Sequence, residues 1–158
     1  MRPVEKHGVE GFAYHYKGMI YYTSPSEVVM SVKILNGLIF NRYFKYFHGI
    51  KRVKHTDYLV FTTLDTSTKI ESTVPYMDDP YMNPLYIDLI NLINENTGFD
   101  LFKTDISVYE DMHAGNWGLY NGKWYCFDPL CTMRLPDAVV DCLDMNKIIA
   151  KYDITCEV

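Results

Sequence analysis

An α+β fold, with a small antiparallel sheet and a few helices, is what this sequence predicts, and three observations lead there. Apolar and β-branched runs come in pairs joined by short turns at 12–22, 46–64 and 117–127. Helical segments with their own start and stop signals, at 25–36 and 84–97, separate those pairs. The chain has 158 residues, 48% of them apolar, which is the size of one domain with a true hydrophobic core.

Taken in order, Phe12-Ala13-Tyr14-His15-Tyr16 and Met19-Ile20-Tyr21-Tyr22 read as two strands joined by Lys17-Gly18. Ser24-Pro25-Ser26-Glu27 is a capping box, with Ser24 as N-cap, Pro25 in the first turn and Glu27 reaching back. Val28, Val29, Val32 and Leu35 follow at helical spacing, and Gly37 supplies a stop, so a helix is expected over 25–36. Tyr46–Ile50 and Tyr58–Leu64 form a second hairpin across a polar turn from Lys51 to Asp57. Residues 65–83, with Pro75 and Pro80, read as a connector. Asn83-Pro84 starts a helix that carries Leu85, Leu89, Leu92 and Ile93 on one face and ends at Gly98. Trp117–Tyr120 and Lys123–Phe127 flank Asn121-Gly122, the strongest local hairpin signal in the chain, because both turn residues must tolerate positive φ. A last helix is expected over about 136–151.

Composition excludes several classes. A net charge of −5 supplies no basic footprint for nucleic acid. No apolar run approaches the ~18 residues of a membrane span, and Met1-Arg2-Pro3-Val4-Glu5-Lys6-His7 has no signal-peptide core. Cys126, Cys131, Cys142 and Cys156 form no CxxC pair, which fits reduced, mostly buried thiols in a cytoplasmic protein rather than a zinc site. The aromatic cluster Tyr43, Phe44, Tyr46 and Phe47 reads as packing rather than a base-stacking platform.

Chemistry concentrates in Asp111, Asn116 and Asp128. Phosphoryl transfer needs a carboxylate near the attacking hydroxyl and oxygen ligands that hold Mg²⁺ on the phosphates. Asp111 and Asn116 share one loop, and the Asn121-Gly122 hairpin folds the chain back so that Asp128 returns toward them.

Asp111-Met112-His113-Ala114-Gly115-Asn116, a hairpin, then Phe127-Asp128-Pro129 resembles the catalytic loop and metal-binding turn of kinase-like phosphotransferases. The pattern is similar above all to the early protein kinases of lytic tailed bacteriophages. The resemblance implies a minimal protein-kinase-like fold: a sheet-and-helix N-lobe over about 1–64, the connector 65–83, and a reduced helical C-lobe over 84–158. It also implies roles, with Asp111 as catalytic base, His113 shaping the loop, and Asn116 and Asp128 as Mg²⁺ ligands. Gly8 and Gly11 would be a reduced glycine loop for ATP, and Thr62 and Leu64 would lie at the hinge that meets the nucleotide. The substrate would be a Ser or Thr of a host protein in the host cytoplasm.

The sequence departs from that pattern where the phosphates are held. Tyr21 stands at the position of the third-strand lysine, and no acidic residue lies near Ser31, where its glutamate partner belongs. Lys17 is the candidate replacement cation. The alternative reading is therefore a pseudokinase that binds and inhibits a host transcription or defence protein.

Overall fold

A computed structural model describes residues 2–7, 11–65, 84–103, 117–126 and 135–156. The fold is α+β, and its residues cluster into two units, 1–63 with 143–158, and 64–142.

The first unit is built on a five-stranded antiparallel sheet in the order β1-β2-β3-β5-β4. Its strands are β1 (Arg2–His7), β2 (Gly11–Tyr16), β3 (Met19–Thr23), β4 (Phe47–Val53) and β5 (Thr56–Thr62). Between β3 and β4 the chain forms helix α1 (Glu27–Phe40). The strand β1 was not expected, because Arg2–His7 carries no apolar run; its backbone is paired by β2 across a register shift between Pro3 and Glu5.

Helix α1 starts later and runs further than its sequence signals suggest. Ser26 is the N-cap, its hydroxyl accepting from the Val29 amide, while the Ser24 hydroxyl accepts from the Ser26 amide. Gly37 does not end the helix. A Cβ there would come within 2.7 Å of the Phe47 Cβ and 3.1 Å of Phe61, so glycine is what lets the helix seat on the sheet. The end comes at Asn41, whose side chain clips the next strand: Oδ1 accepts from the Tyr46 and Phe47 amides, and Nδ2 donates to the Phe47 carbonyl.

The second hairpin is also longer than expected. The polar stretch 51–57 is mostly strand, closed by a two-residue turn in which Lys54 and His55 have φ of 48° and 73°. Arg52 and Asp57 face each other across the ladder in a two-pronged ion pair of 2.9 and 3.2 Å. That hydrogen-bonded carboxylate holds the Arg52 guanidinium above its ordinary pKa.

Residues 143–158 belong with this first unit, not with a C-lobe. Helix α4 (Met145–Tyr152) packs on α1, and the backbone at Thr155 and Cys156 lies so close to Gly49 that no side chain fits between them. Asp144 caps α4 by accepting from the Asn146 and Lys147 amides. This restart divides the expected helix over 136–151 into α3 (Asp137–Val140), in the second unit, and α4.

In the second unit, α2 (Pro84–Thr97) spans the residues its Asn-Pro start and Gly98 stop predict. Leu89, Ile90, Leu92 and Ile93 are buried, and Gly98, at φ +78°, donates to the Asn94 carbonyl. The Asn94 side chain then accepts from the Leu101 amide and turns the chain into a single 3-10 turn, Leu101–Lys103. Strands β6 (Trp117–Tyr120) and β7 (Lys123–Cys126) form the expected hairpin, with Asn121 and Gly122 at φ of 49° and 79°. Asp65 exchanges two backbone hydrogen bonds with Leu119, of 2.8 and 2.9 Å, which adds a short third edge to that hairpin. Among the described residues, no helix is long and apolar enough to cross a membrane.

Candidate functional site

The site expected from the sequence divides into a loop-and-hairpin part and a phosphate-clamp part, each of them described in part. Asp111, His113, Asn116, Asp128 and Gly8 lie outside the described residues. The hairpin that separates Asn116 from Asp128 in the sequence is described, and its register pairs Trp117 with Cys126 at the open end. Gly118 faces Leu64 so closely that a Cβ would lie 2.6 Å from the leucine Cβ. Leu64, one of the two expected hinge residues, is thus buried packing under the hairpin.

At the clamp, strand parity matters. Successive residues of a strand point to opposite faces, so Tyr21 and Tyr22 cannot both look toward α1. The one that does is Tyr22: the Lys33 ammonium of α1 stands 4.9 Å from its ring centroid. Tyr22 is opposite Ala13 on β2 and Leu59 on β5, on the face where Phe47 and Phe61 meet Gly37. Tyr21 lies on the other face, 4% exposed, with its ring edge-on to Tyr16 and Tyr58 at 6.1 and 6.2 Å. The residue facing the helix from the third strand is therefore Tyr22, the neighbour of Tyr21. Its helix partner is Lys33 rather than Ser31, which is buried and donates to the Glu27 carbonyl within its own helix.

The Tyr22 ring extends along β2 to its first residue. A Cβ on Gly11 would lie 2.6 Å from the tyrosine Cζ and closer still to its hydroxyl, with the Thr23 carbonyl 2.7 Å away. Gly11 is the second glycine of the expected glycine loop, so the space next to it on the helix side is filled by this ring.

The remaining expected residues make the following contacts. Lys17 is not on a strand but at the tip of the β2–β3 hairpin, with φ +49°, exposed, its ammonium 5.4 Å from the Tyr16 ring centroid. Thr63 holds that tip by donating to the Gly18 carbonyl at 2.9 Å. Thr62 donates its one hydroxyl hydrogen to the Lys45 carbonyl, so its 2.8 Å contact with the buried His48 requires His48 Nε2 to be the donor. The thiols also differ from expectation: Cys142 is exposed and Cys156 half-buried.

These residues do not fit the ATP phosphates that the resemblance implies. A tyrosine ring occupies the position next to Gly11, and the strand offers the helix an aromatic face instead of an ammonium. Among the described residues, no group of three His, Cys, Asp or Glu side chains could hold a metal. No family model matches the chain, and neither the curated proteins nor the solved structures contain a match.

Proposed function

We propose that this chain is a kinase-like protein that acts by binding a host protein, with phosphotransfer weak or absent. The observation that carries the reading is the Tyr22–Lys33 pair. Kinase catalysis is almost entirely positioning and electrostatic stabilisation, and it depends on a strand lysine held by a helix glutamate. Here the helix supplies the cation and the strand a ring, which reverses the arrangement. The kinase-like part of the proposal rests on the Asp111, Asn116 and Asp128 motif and on the element order of the first unit. Three strands, a helix and a hairpin, with Gly11 opening the second strand, follow the order of a kinase N-lobe.

Label transfer from ATP with Mg²⁺ into a host lysate tests this, with Asp128→Asn as the control. The expected result is no transfer above the control, together with one host protein that co-purifies with the chain in a fixed ratio. Transfer that disappears in Asp128→Asn sinks the proposal.

Phosphotransfer to a host Ser or Thr, with Asp111 as base and Asn116 and Asp128 holding Mg²⁺, is the second reading. The observation favouring it is the β6–β7 hairpin, whose register and turn are those the motif calls for between its amide and its second carboxylate. On that reading Lys17 supplies the missing cation, and Lys17→Met abolishes transfer.

A further inference from the structure

Resting on the binding-protein reading and deepening it, we infer that the β4–β5 hairpin is the docking surface, and that its occupant is an extended acidic segment of the partner protein, added as a strand to β4. The strand order β1-β2-β3-β5-β4 ends at β4, so one side of it is unpaired among the described strands. The backbone at Thr155 and Cys156 lies against Gly49, and the free stretch is Ile50 to Val53. A two-residue hairpin closes on a hydrogen-bonded pair, here Val53 with Thr56, and pairing then alternates along the ladder. The amides and carbonyls of Ile50 and Arg52 therefore point outward. An extended peptide satisfies such a row, and the side chains beside it decide which peptide.

Here the decision falls to charge. No Asp or Glu occurs between Glu27 and Asp57, a stretch that holds six of the chain's 15 Lys and Arg. Lys54 and His55 are exposed at the turn, and Lys51 is half-buried on the strand. Asp57, the one carboxylate in the hairpin, is taken by Arg52 in the two-pronged pair. Neither Lys51 nor Lys54 has an ion pair among the described residues. The turn also keeps Lys54 and His55 at positive φ, where glycine would sit without strain. Lysines on an edge strand commonly guard it against a second copy. That repulsion also selects: a basic or identical strand is refused and an acidic one attracted. Nucleic acid would bring the charge but no row of amides for Ile50 and Arg52, and it meets a chain of net charge −5.

The experiment is fluorescence anisotropy with the full chain and labelled probes: short peptides of alternating Glu and Thr, of alternating Gln and Thr, and of alternating Glu and Pro, with oligo(dT) of the same length. The Glu–Thr peptide should saturate, and its binding should weaken as salt rises. The Gln–Thr peptide should not bind. The Glu–Pro peptide keeps the charge but lacks every second amide donor, and should bind at least about ten-fold more weakly. Lys51→Ser with Lys54→Ser should also cost at least about ten-fold. Lys147→Ser with Lys151→Ser, which removes the same charge from exposed positions on α4, should cost little. A Glu–Thr peptide that does not saturate overturns the inference, as do equal affinity for Glu–Pro, tighter binding of oligo(dT), or equal losses from the two lysine pairs. The peptide comparisons need no variant, so a double variant that fails to fold leaves them decisive. Proteins that co-purify from host lysate are compared last. A partner retained in full by the folded Lys51/Lys54 variant overturns this surface and leaves the binding-protein reading standing. Label transfer that disappears in Asp128→Asn sinks that reading without altering the peptide result.

Discussion

The β2–β3 hairpin with its helix and the β6–β7 hairpin turn their chains in the same way and put the turn to different use. Lys17-Gly18 and Asn121-Gly122 both take φ near +50° and then near +75° to +80°, the two-residue geometry that suits strand twist. In the second hairpin the turn closes a four-residue ladder that pairs Trp117 with Cys126 at its open end. In the first, the turn joins two strands whose neighbouring residues Tyr21 and Tyr22 pack on opposite faces, Tyr22 under the Lys33 ammonium of α1 and Tyr21 against Tyr16 and Tyr58. The difference teaches that turn geometry and side-chain use are separable: one two-residue turn serves strands whose side chains do different work.

The largest effect should come from Gly11. Because a Cβ there meets the Tyr22 ring and the Thr23 carbonyl, Gly11→Ala overpacks the clamp and should cost about 2–3 kcal/mol in urea melts. Combining it with Tyr22→Leu should recover roughly 1 kcal/mol or more of that loss, since residues in contact are not additive. Full additivity would mean that ring and glycine are independent. Next in size is Gly122→Ala. Open space surrounds that position, so only its φ of +79° opposes a side chain, and the loss should be about 1 kcal/mol. Equal losses at Gly11 and Gly122 would erase the distinction drawn between the two hairpins.

A third turn of the same shape sharpens the comparison in the other direction. Lys54 and His55 adopt positive φ without a glycine, so His55→Gly should stabilise the chain by about 1 kcal/mol, seen as a higher melting temperature. Smallest of all, Lys17→Met should leave the melt unchanged, because the exposed tip is held by the Thr63 bond to the Gly18 carbonyl and not by the lysine. A shift of several degrees would assign Lys17 a structural role.

Where local chemistry decides an element, the sequence was readable. Asn-Gly sets the β6–β7 turn, and Asn83-Pro84 with Gly98 brackets α2. Misreadings arose where a residue's duty is to something distant in the chain. Gly37 resembles a helix stop because its partner, Phe47, is visible only in the fold. Lys54-His55 carries no turn signal, and the strands on either side impose its geometry through pairs such as Arg52 with Asp57. Strand β1 exists through its pairing with β2, not through any pattern of its own. The site followed the same rule. The Asp111-to-Asn116 loop and Asp128 stood out as a contiguous motif, whereas the choice between Tyr21 and Tyr22 depends on register, and a slip of one residue exchanges the faces.

The contact between Gly49 and the backbone at Thr155 has a consequence for how the molecule is made. The first unit is interrupted in the chain by the second, so its α1–α4 packing and its Gly49 seat await residues synthesised after the whole of the second unit. Closing a loop from residue 49 to residue 155 is slow by comparison with forming hairpins and a helix from neighbours. Synthesis should therefore pass through a nascent stage in which the sheet and α1 have formed while the surface awaiting Ile148 is uncovered, a stage at which the protein is most exposed to proteases and chaperones.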